Sequence, residues 1–148
     1  MLQIRRETDY AIRCIYYLAG KEKEITMVDE IAREMSVPKS FLAKILQRLS
    51  KADLVKSYVG VKGGFSLTKN PKRISLFDVI LAIEGPVAMN KCTVNKKSCS
   101  LSSTCRIHPI WVQVRKDIEE VLKRSTFAAI KSAGQELTIG CPIKKNSK

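Results

Sequence analysis

Three cysteines and one histidine lie close together in the second half of the chain. Six residues separate Cys92 from Cys99, five separate Cys99 from Cys105, and His108 follows after two more. Thiolate sulfur binds zinc and the iron of iron–sulfur clusters, and one further ligand completes a set of four. No Cys-x2-Cys pair is present, so the spacing is not that of a zinc finger or a thioredoxin-like site. These residues therefore predict a metal centre.

The segment that carries these cysteines is basic and has no helical or strand periodicity. Between Gly85 and His108 it contains four basic residues and no acid. Positive surroundings favour thiolates and stabilise an anionic cluster. A structureless loop of about twenty residues is uncommon in a small domain unless it is functional or disordered. We interpret it as a cluster-binding loop, with structural zinc or a thiol redox switch at the same cysteines as the alternatives.

The other two cysteines are interpreted as lying outside this centre. Cys14 falls within an apolar helical pattern and is predicted to be a small core residue. Cys141 precedes Pro142 in a polar tail and is predicted to be a free, exposed thiol. An odd number of cysteines without a secretion signal argues against a disulfide framework.

Length and composition exclude several classes of protein. The chain has 148 residues, of which 45% are hydrophobic and 28% are charged, as in a globular domain. No apolar run is long enough to span a membrane, and charges near the N-terminus exclude a secretory signal. We therefore expect a cytoplasmic protein without a membrane partner. A single histidine and the absence of nucleophile-elbow and P-loop motifs argue against an enzyme, so no small-molecule substrate is expected.

The charge of the chain predicts a polyanionic partner. The formal net charge is +13, and residues 39–73 contain nine basic residues and one acid. Hydrophobic periodicity predicts helices over 8–19, 27–35 and 39–51, followed by strands over 54–59 and 65–68 with a glycine-rich tip between them. Two helices separated by a short break at Pro38 and followed by a hairpin form a winged helix-turn-helix. A further helix over 76–84 ends at Gly85.

The second helix of this motif and the wing are predicted to bind double-stranded DNA. Gln47 can pair with adenine, and Lys44 can contact guanine or a phosphate. Glycines in the wing allow close approach of the backbone to the duplex. The predicted DNA-binding residues are Lys39, Ser40, Lys44, Gln47, Arg48, Lys56, Ser57, Lys62 and Gly63.

A second apolar stripe follows the cysteine segment. On a helix that starts at His108 and Pro109, it contains Ile110, Trp111, Val114, Ile118 and Val121. A coiled-coil-like pairing with a second copy would bury it, and packing back on its own domain is the alternative. The fold class is therefore mostly α with a small β-hairpin wing, plus a long dimerisation helix. The expected organisation is a winged helix over 1–85, the cluster-binding loop over 86–107, the dimerisation helix over 108–131 and a basic tail over 132–148.

The chain resembles the winged-helix transcription regulators that include IscR, NsrR and CymR. The resemblance covers about residues 1–130 and rests on the DYA start, FLAKIL, the GG wing and the three cysteines. It implies a homodimer that binds a DNA operator, interpreted as a repressor, with the long helices crossing at the dimer interface. It also implies that Cys92, Cys99 and Cys105 hold an iron–sulfur cluster that senses iron, redox state or nitric oxide. CymR-like members lack these cysteines.

The resemblance leaves the fourth cluster ligand open. His108 matches the histidine of IscR-like members, which hold a [2Fe–2S] cluster. Asp9 matches the aspartate that reaches a [4Fe–4S] cluster from the other subunit in NsrR-like members. The chain departs from the pattern at Ala43, where IscR-like members have glutamate, and at Val59, where arginine is common. We therefore expect an operator different from the one read through that glutamate.

Overall fold

The computed structural model describes residues 3–136, so Cys141 and most of the predicted basic tail lie outside the described residues. Helices α1 (Arg6–Ala19), α2 (Val28–Met35) and α3 (Lys39–Lys51) pack through aliphatic side chains that recur on one face of each. Ile15, Ile31 and Leu42 are completely buried where these helices meet. The predicted core position of Cys14 is confirmed, since its side chain is also fully buried.

The turn between α2 and α3 has the predicted helix-turn-helix geometry. Ser36 ends α2 in the left-handed conformation with φ of 53°, and the N–H of Val37 donates to the carbonyl of Ala32 at 3.0 Å. Val37 is only 3% exposed, so the turn itself is anchored in the core. Pro38 is the N-cap of α3, which ends at Lys51 as the sequence predicts.

The wing is an antiparallel hairpin of β1 (Val55–Tyr58) and β2 (Gly64–Leu67). On its other edge, β2 pairs with Thr26, because Thr26 and Phe65 exchange two backbone hydrogen bonds of 2.9 Å. A Cβ at position 64 would collide with the carbonyl of Thr26, which explains the glycine there. The segment between α1 and α2 therefore fixes the wing against the three-helix core, and the predicted winged-helix class is confirmed.

Helix α4 (Leu76–Glu84) leads from the wing to the cysteine segment. Its N-terminus carries a capping box, in which Asp78 accepts from the N–H of Ser75 at 2.8 Å. It ends at Gly85, whose φ of 87° favours glycine. The segment that follows is not wholly structureless, because it contains the one-turn helix α5 (Lys91–Val94) and a 3-10 turn at Lys96–Ser98. Elements this short leave no periodicity in a sequence.

The prediction of one long helix over 108–131 is wrong in its extent. Helix α6 (His108–Arg124) ends early, and a separate helix α7 (Phe127–Glu136) begins three residues later. The break occurs because Phe127 is completely buried in the winged-helix core and its N–H donates to the carbonyl of Ile74 at 2.9 Å. Helix α7 therefore packs back on α1. Among the described residues, no helix is long and apolar enough to cross a membrane.

Candidate DNA interface and metal site

Helix α3 presents its polar face to solvent. Leu42, Ile45, Leu46 and Leu49 are buried, and each is at most 2% exposed. The predicted DNA-reading residues Lys39, Ser40, Lys44 and Gln47 are exposed on the opposite side. This arrangement leaves a full helix face available for the major groove.

Two lysines of this surface differ in their local partners. Lys39 Nζ lies 2.5 Å from Asp29 Oδ1, and both side chains are more than half exposed. Exposed pairs of this kind contribute at most about 1 kcal/mol, so a DNA phosphate can replace Asp29. Lys44 forms no ion pair with any residue that the structure describes. Its charge is therefore fully available to DNA.

Arg48 is held by the protein itself. Its Nη1 donates to Glu7 Oε2 at 3.2 Å and to the carbonyl of Ile83 at 3.4 Å. The side chain thus connects the recognition helix to the start of α1 and to the end of α4. Arginine forms such multiple hydrogen bonds well because its planar guanidinium carries five donors.

The wing presents its basic residues at an extended tip. Lys56 and Ser57 are exposed on β1, and Lys56 Nζ lies 5.4 Å from the ring centroid of Tyr58. Lys62 lies in the tip, and a Cβ at Gly63 would collide with the carbonyl of Tyr58. Two tip residues missed by the sequence analysis as candidate contacts, Val59 and Val61, are fully exposed. The sequence feature that could have identified them is their position beside the wing glycines. Apolar side chains at such a tip can insert into a minor groove.

The predicted metal ligands are not gathered into a site. Cys92 lies in α5, Cys99 ends the 3-10 turn, and Cys105 lies in the turn before α6. All three are free and partly exposed. Within residues 3–136, no three Cys, His, Asp or Glu side chains are arranged to hold a metal ion. The donor types fit an iron–sulfur cluster or zinc, but the described geometry does not.

His108 has an unsatisfied nitrogen inside this segment. It is only 8% exposed, and its backbone N–H donates to the carbonyl of Cys105 at 3.3 Å. Its Nδ1 is buried without a hydrogen-bond partner, as is Oδ1 of Asn90. Burying an unpaired polar atom costs about 1–3 kcal/mol. Both such side-chain atoms found among the described residues belong to residues within three positions of Cys92 or Cys105 in the sequence, which marks this segment as short of a hydrogen-bond partner.

Asp9, the other candidate ligand, lies elsewhere. Helix α1 starts at Arg6, so Asp9 belongs to its first turn, where Oδ2 lies 2.8 Å from Arg13 Nη2. Both side chains are nearly half exposed.

Sequence reasoning missed two residues near the cysteine segment: Arg115, which connects the segment to α6, and Glu84, which connects the end of α4 to the start of α1. Arg115 of α6 donates to the carbonyl of Thr93, which is the neighbour of Cys92, at 2.5 Å. Glu84 Oε1 accepts from the buried hydroxyl of Thr8 at 2.6 Å and from the N–H of Arg5 at 2.9 Å. Thr8 and Glu84 are 76 positions apart, so no local pattern in the sequence signals their contact.

The apolar stripe of α6 remains partly uncovered in the single chain. The helix packs on α4 and α5, yet Ile110 is 61% exposed and Val121 is 53% exposed. Trp111, Val114 and Ile118 are half-buried. Exposed apolar side chains in a row indicate a surface that a partner covers.

Cys14 is expected to be inert while the protein is folded. Burial raises the pKa of its thiol to about 12, and the thiolate is the reactive form. In a Cys141→Ser background without bound metal, iodoacetamide at pH 8 should modify Cys92, Cys99 and Cys105 within minutes and Cys14 only after unfolding. Mass spectrometry of tryptic peptides measures this. Equal modification of Cys14 in the folded protein would contradict its placement in the core.

The exposed basic recognition helix and wing define a DNA-binding protein of the winged helix-turn-helix class. The chain belongs to the Rrf2 family, whose model is described as an iron-dependent transcriptional regulator and matches residues 4–133. The family assignment confirms the resemblance seen in the sequence. The protein is a DNA-binding transcriptional regulator, and the members of its family are not enzymes.

Individual relatives agree with this assignment. A protein of Aquifex aeolicus (strain VF5), named as an HTH-type transcriptional regulator, is 33% identical over 120 residues, which are 80% of this chain and 83% of that protein. The structure of CymR, the global cysteine regulator of B. subtilis, is similar with a TM-score of 0.72 and 26% identity, covering 90% of this chain and 98% of that one. T. potens IscR matches with a TM-score of 0.69 and 27% identity, covering 91% and 90%. Overall similarity therefore does not decide whether this chain is more like CymR or more like IscR.

Proposed function

We propose that this regulator controls transcription as a homodimer and senses its signal through an iron–sulfur cluster held by Cys92, Cys99 and Cys105. The observation that carries the proposal is the buried, unpartnered Nδ1 of His108 in a segment with three free, partly exposed thiols. A metal centre would supply the partner that this nitrogen lacks. We propose a repressor, as the resemblance implies.

His108 is our proposed fourth ligand. Its backbone is hydrogen-bonded to Cys105, and its side chain is buried with a nitrogen unused by the protein. Asp9 is the alternative, and it already has a partner in Arg13. When bound, the cluster supplies one-electron redox chemistry and reactivity toward oxygen or nitric oxide, while this chain's residues orient it and connect it to the DNA-binding helices.

The ends of the cysteine segment support a route from that segment to the recognition helix. Directly before Gly85, the carbonyl of Ile83 accepts from Arg48 of α3, and Glu84 holds the start of α1. At its other side, Arg115 fixes Thr93 to α6. On this proposal a rearrangement of residues 86–107 reaches α6 through the contact of Arg115 with Thr93, and reaches α3 through α4, which ends where the segment begins. Couplings between such sites typically amount to about 1–3 kcal/mol.

A thiol switch or structural zinc at the same cysteines is the second candidate. A thiol switch is supported by the three free, partly exposed thiols, which oxidants can reach without a preformed metal site. Anaerobic purification followed by visible absorption, iron, sulfide and zinc analysis distinguishes the candidates. A coloured protein with matching iron and sulfide supports the cluster. A colourless protein that contains zinc, or no metal, supports the second candidate instead.

We propose that the exposed residues of α3 bind the major groove and that those of the wing bind the adjacent groove. Lys39, Ser40, Lys44 and Gln47 supply the first set of contacts, and Lys56, Ser57, Lys62 and Gly63 the second. We assign Arg48 to the orientation of α3, because its guanidinium is bonded to Glu7 and to Ile83.

Removing one free lysine should weaken DNA binding without affecting the fold. Lys44→Ala and Lys62→Ala are each expected to lower the slope of log affinity against log salt by about one unit, because each removes one phosphate contact. Lys116→Ala is the matched comparison: it removes an exposed charge from α6, outside this surface, and should leave the salt slope and the melting temperature unchanged. Fluorescence anisotropy at several salt concentrations and thermal melts measure these effects. Wild-type slopes in both lysine variants would contradict the proposed interface.

A further inference from the structure

A cavity lies on the side of the winged helix where α7 packs. It has a volume of 520 Å³ and is enclosed by the end of α1, the end of β2, the 3-10 turn at Pro71–Arg73 and α7. Its accessible apolar lining is Pro71 and Ala128, above Leu18, Ala19 and Leu67, which are each at most 7% exposed. Small-molecule sites typically occupy about 300–1,000 Å³ and combine apolar walls with a few polar groups. The cavity therefore has the size and the lining of a ligand site.

The polar groups around this cavity are mainly amines. Lys23, Lys69, Lys72 and Lys131 line it, with Glu22 as the one acid among its lining residues. Lys69 pairs with Asp53 at 3.4 Å. The other three lysines form no ion pair with any residue between 3 and 136. The amines that line the cavity therefore outnumber its single carboxylate, that of Glu22.

The amine of Lys131 lies beside Gly20, at the end of α1. A Cβ at Gly20 would lie 2.9 Å from Lys131 Nζ, so the missing side chain at the end of α1 makes room for this amine. The wall beside it is formed by Glu22 and Lys23, whose φ angles of 43° and 73° are unusual for residues other than glycine. Such conformations cost free energy and often occur at ligand sites.

We propose that this cavity binds a small organic anion, a carboxylate with an apolar body. The carboxylate would pair with Lys72 and Lys131, and the body would lie against Pro71 and Ala128. An inorganic anion would leave the apolar wall unused, and a cation would face three like charges. Bound there, the anion would join α7 to the turn that follows the wing. The site is separate from the cysteines and from the proposed DNA contacts.

Calorimetric titration of the full chain tests the site, with 2-naphthoate as the probe and neutral 2-naphthamide and inorganic phosphate as its comparisons. We expect one naphthoate per chain, bound at least tenfold more tightly than either comparison. Equal affinity for naphthamide would mean that the amines take no part, and it would overturn the proposal. Equal affinity for phosphate would mean a non-selective basic surface, with the same consequence.

Variants locate the binding. The double variant Lys72→Met/Lys131→Met is expected to weaken naphthoate binding at least tenfold, and Ser132→Trp should block the cavity without changing its charge. Lys51→Met/Lys116→Met removes the same charge from residues outside the cavity and should bind as the wild type does. Binding that is unchanged in Lys72→Met/Lys131→Met and in Ser132→Trp, while both remain folded by circular dichroism, would overturn the proposal. So would displacement of naphthoate by a short DNA duplex of random sequence, because the lysines would then be DNA contacts.

Discussion

Replacing Cys92, Cys99 or Cys105 with alanine is expected to remove all bound iron and sulfide from the anaerobically purified protein. A cluster that loses one of three cysteine ligands is not retained, and the partly exposed side chains can be removed without leaving a core cavity. Each variant should therefore remain folded. Chemical analysis of iron and sulfide, with circular dichroism for the fold, measures the result.

The remaining cysteines supply the controls. Cys14→Ala and Cys141→Ala should keep the cluster, although Cys14→Ala should melt at a lower temperature because the side chain is fully buried. Operator affinity should change by about 5- to 150-fold between the cluster-bound protein and each loop variant. Full iron content in any of the three loop variants would contradict the ligand assignment. Identical affinities would contradict the coupling to DNA binding.

The same analysis separates the two candidate fourth ligands. If His108 is the ligand, His108→Ala should destabilise the cluster or change its absorption spectrum. Asp9→Asn should then leave the cluster and its spectrum unchanged. The reverse result would assign the position to Asp9 of the second subunit.

A charge on the apolar stripe of α6 is expected to produce monomers that bind the operator about 100- to 10,000-fold more weakly. Ile110→Glu and Val121→Glu are the best choices, because both side chains are more than half exposed in the single chain and tolerate a charge without loss of the fold. The large effect follows because a dimer joins two half-sites, so the second contact occurs at high effective concentration.

Light scattering after size exclusion and operator titration measure this effect. Lys116→Gln is the matched control, because it lowers the net charge by the same one unit at an exposed position of α6 outside the stripe and should leave a dimer. A wild-type protein that is monomeric at micromolar concentration would contradict the proposed dimer. A dimeric Ile110→Glu/Val121→Glu protein would place the interface elsewhere.

Much of the DNA-binding part could be predicted from the sequence. Helix α3 was expected over 39–51 and has those bounds, because its apolar residues recur at helical spacing and Pro38 restricts the preceding residue. The hairpin was expected from alternating strands around glycines and is present with antiparallel pairing. Cys14 was expected in the core because it lies on the apolar face of α1. Each of these features depends on residues close together in the chain.

Only the tertiary structure decided where distant segments meet. The stripe after Pro109 continued far enough to suggest one long helix, but the burial of Phe127 ends α6 at Arg124 and turns α7 back onto α1. Charge alone placed Arg48 among the DNA contacts, whereas its position relative to Glu7 and Ile83 gives it partners within the fold. Periodicity reports which face of an element is buried, but it does not report which residue of another element lies opposite. That is set by packing, which is why the sequence alone could name the chemistry of the cysteine segment and not its geometry.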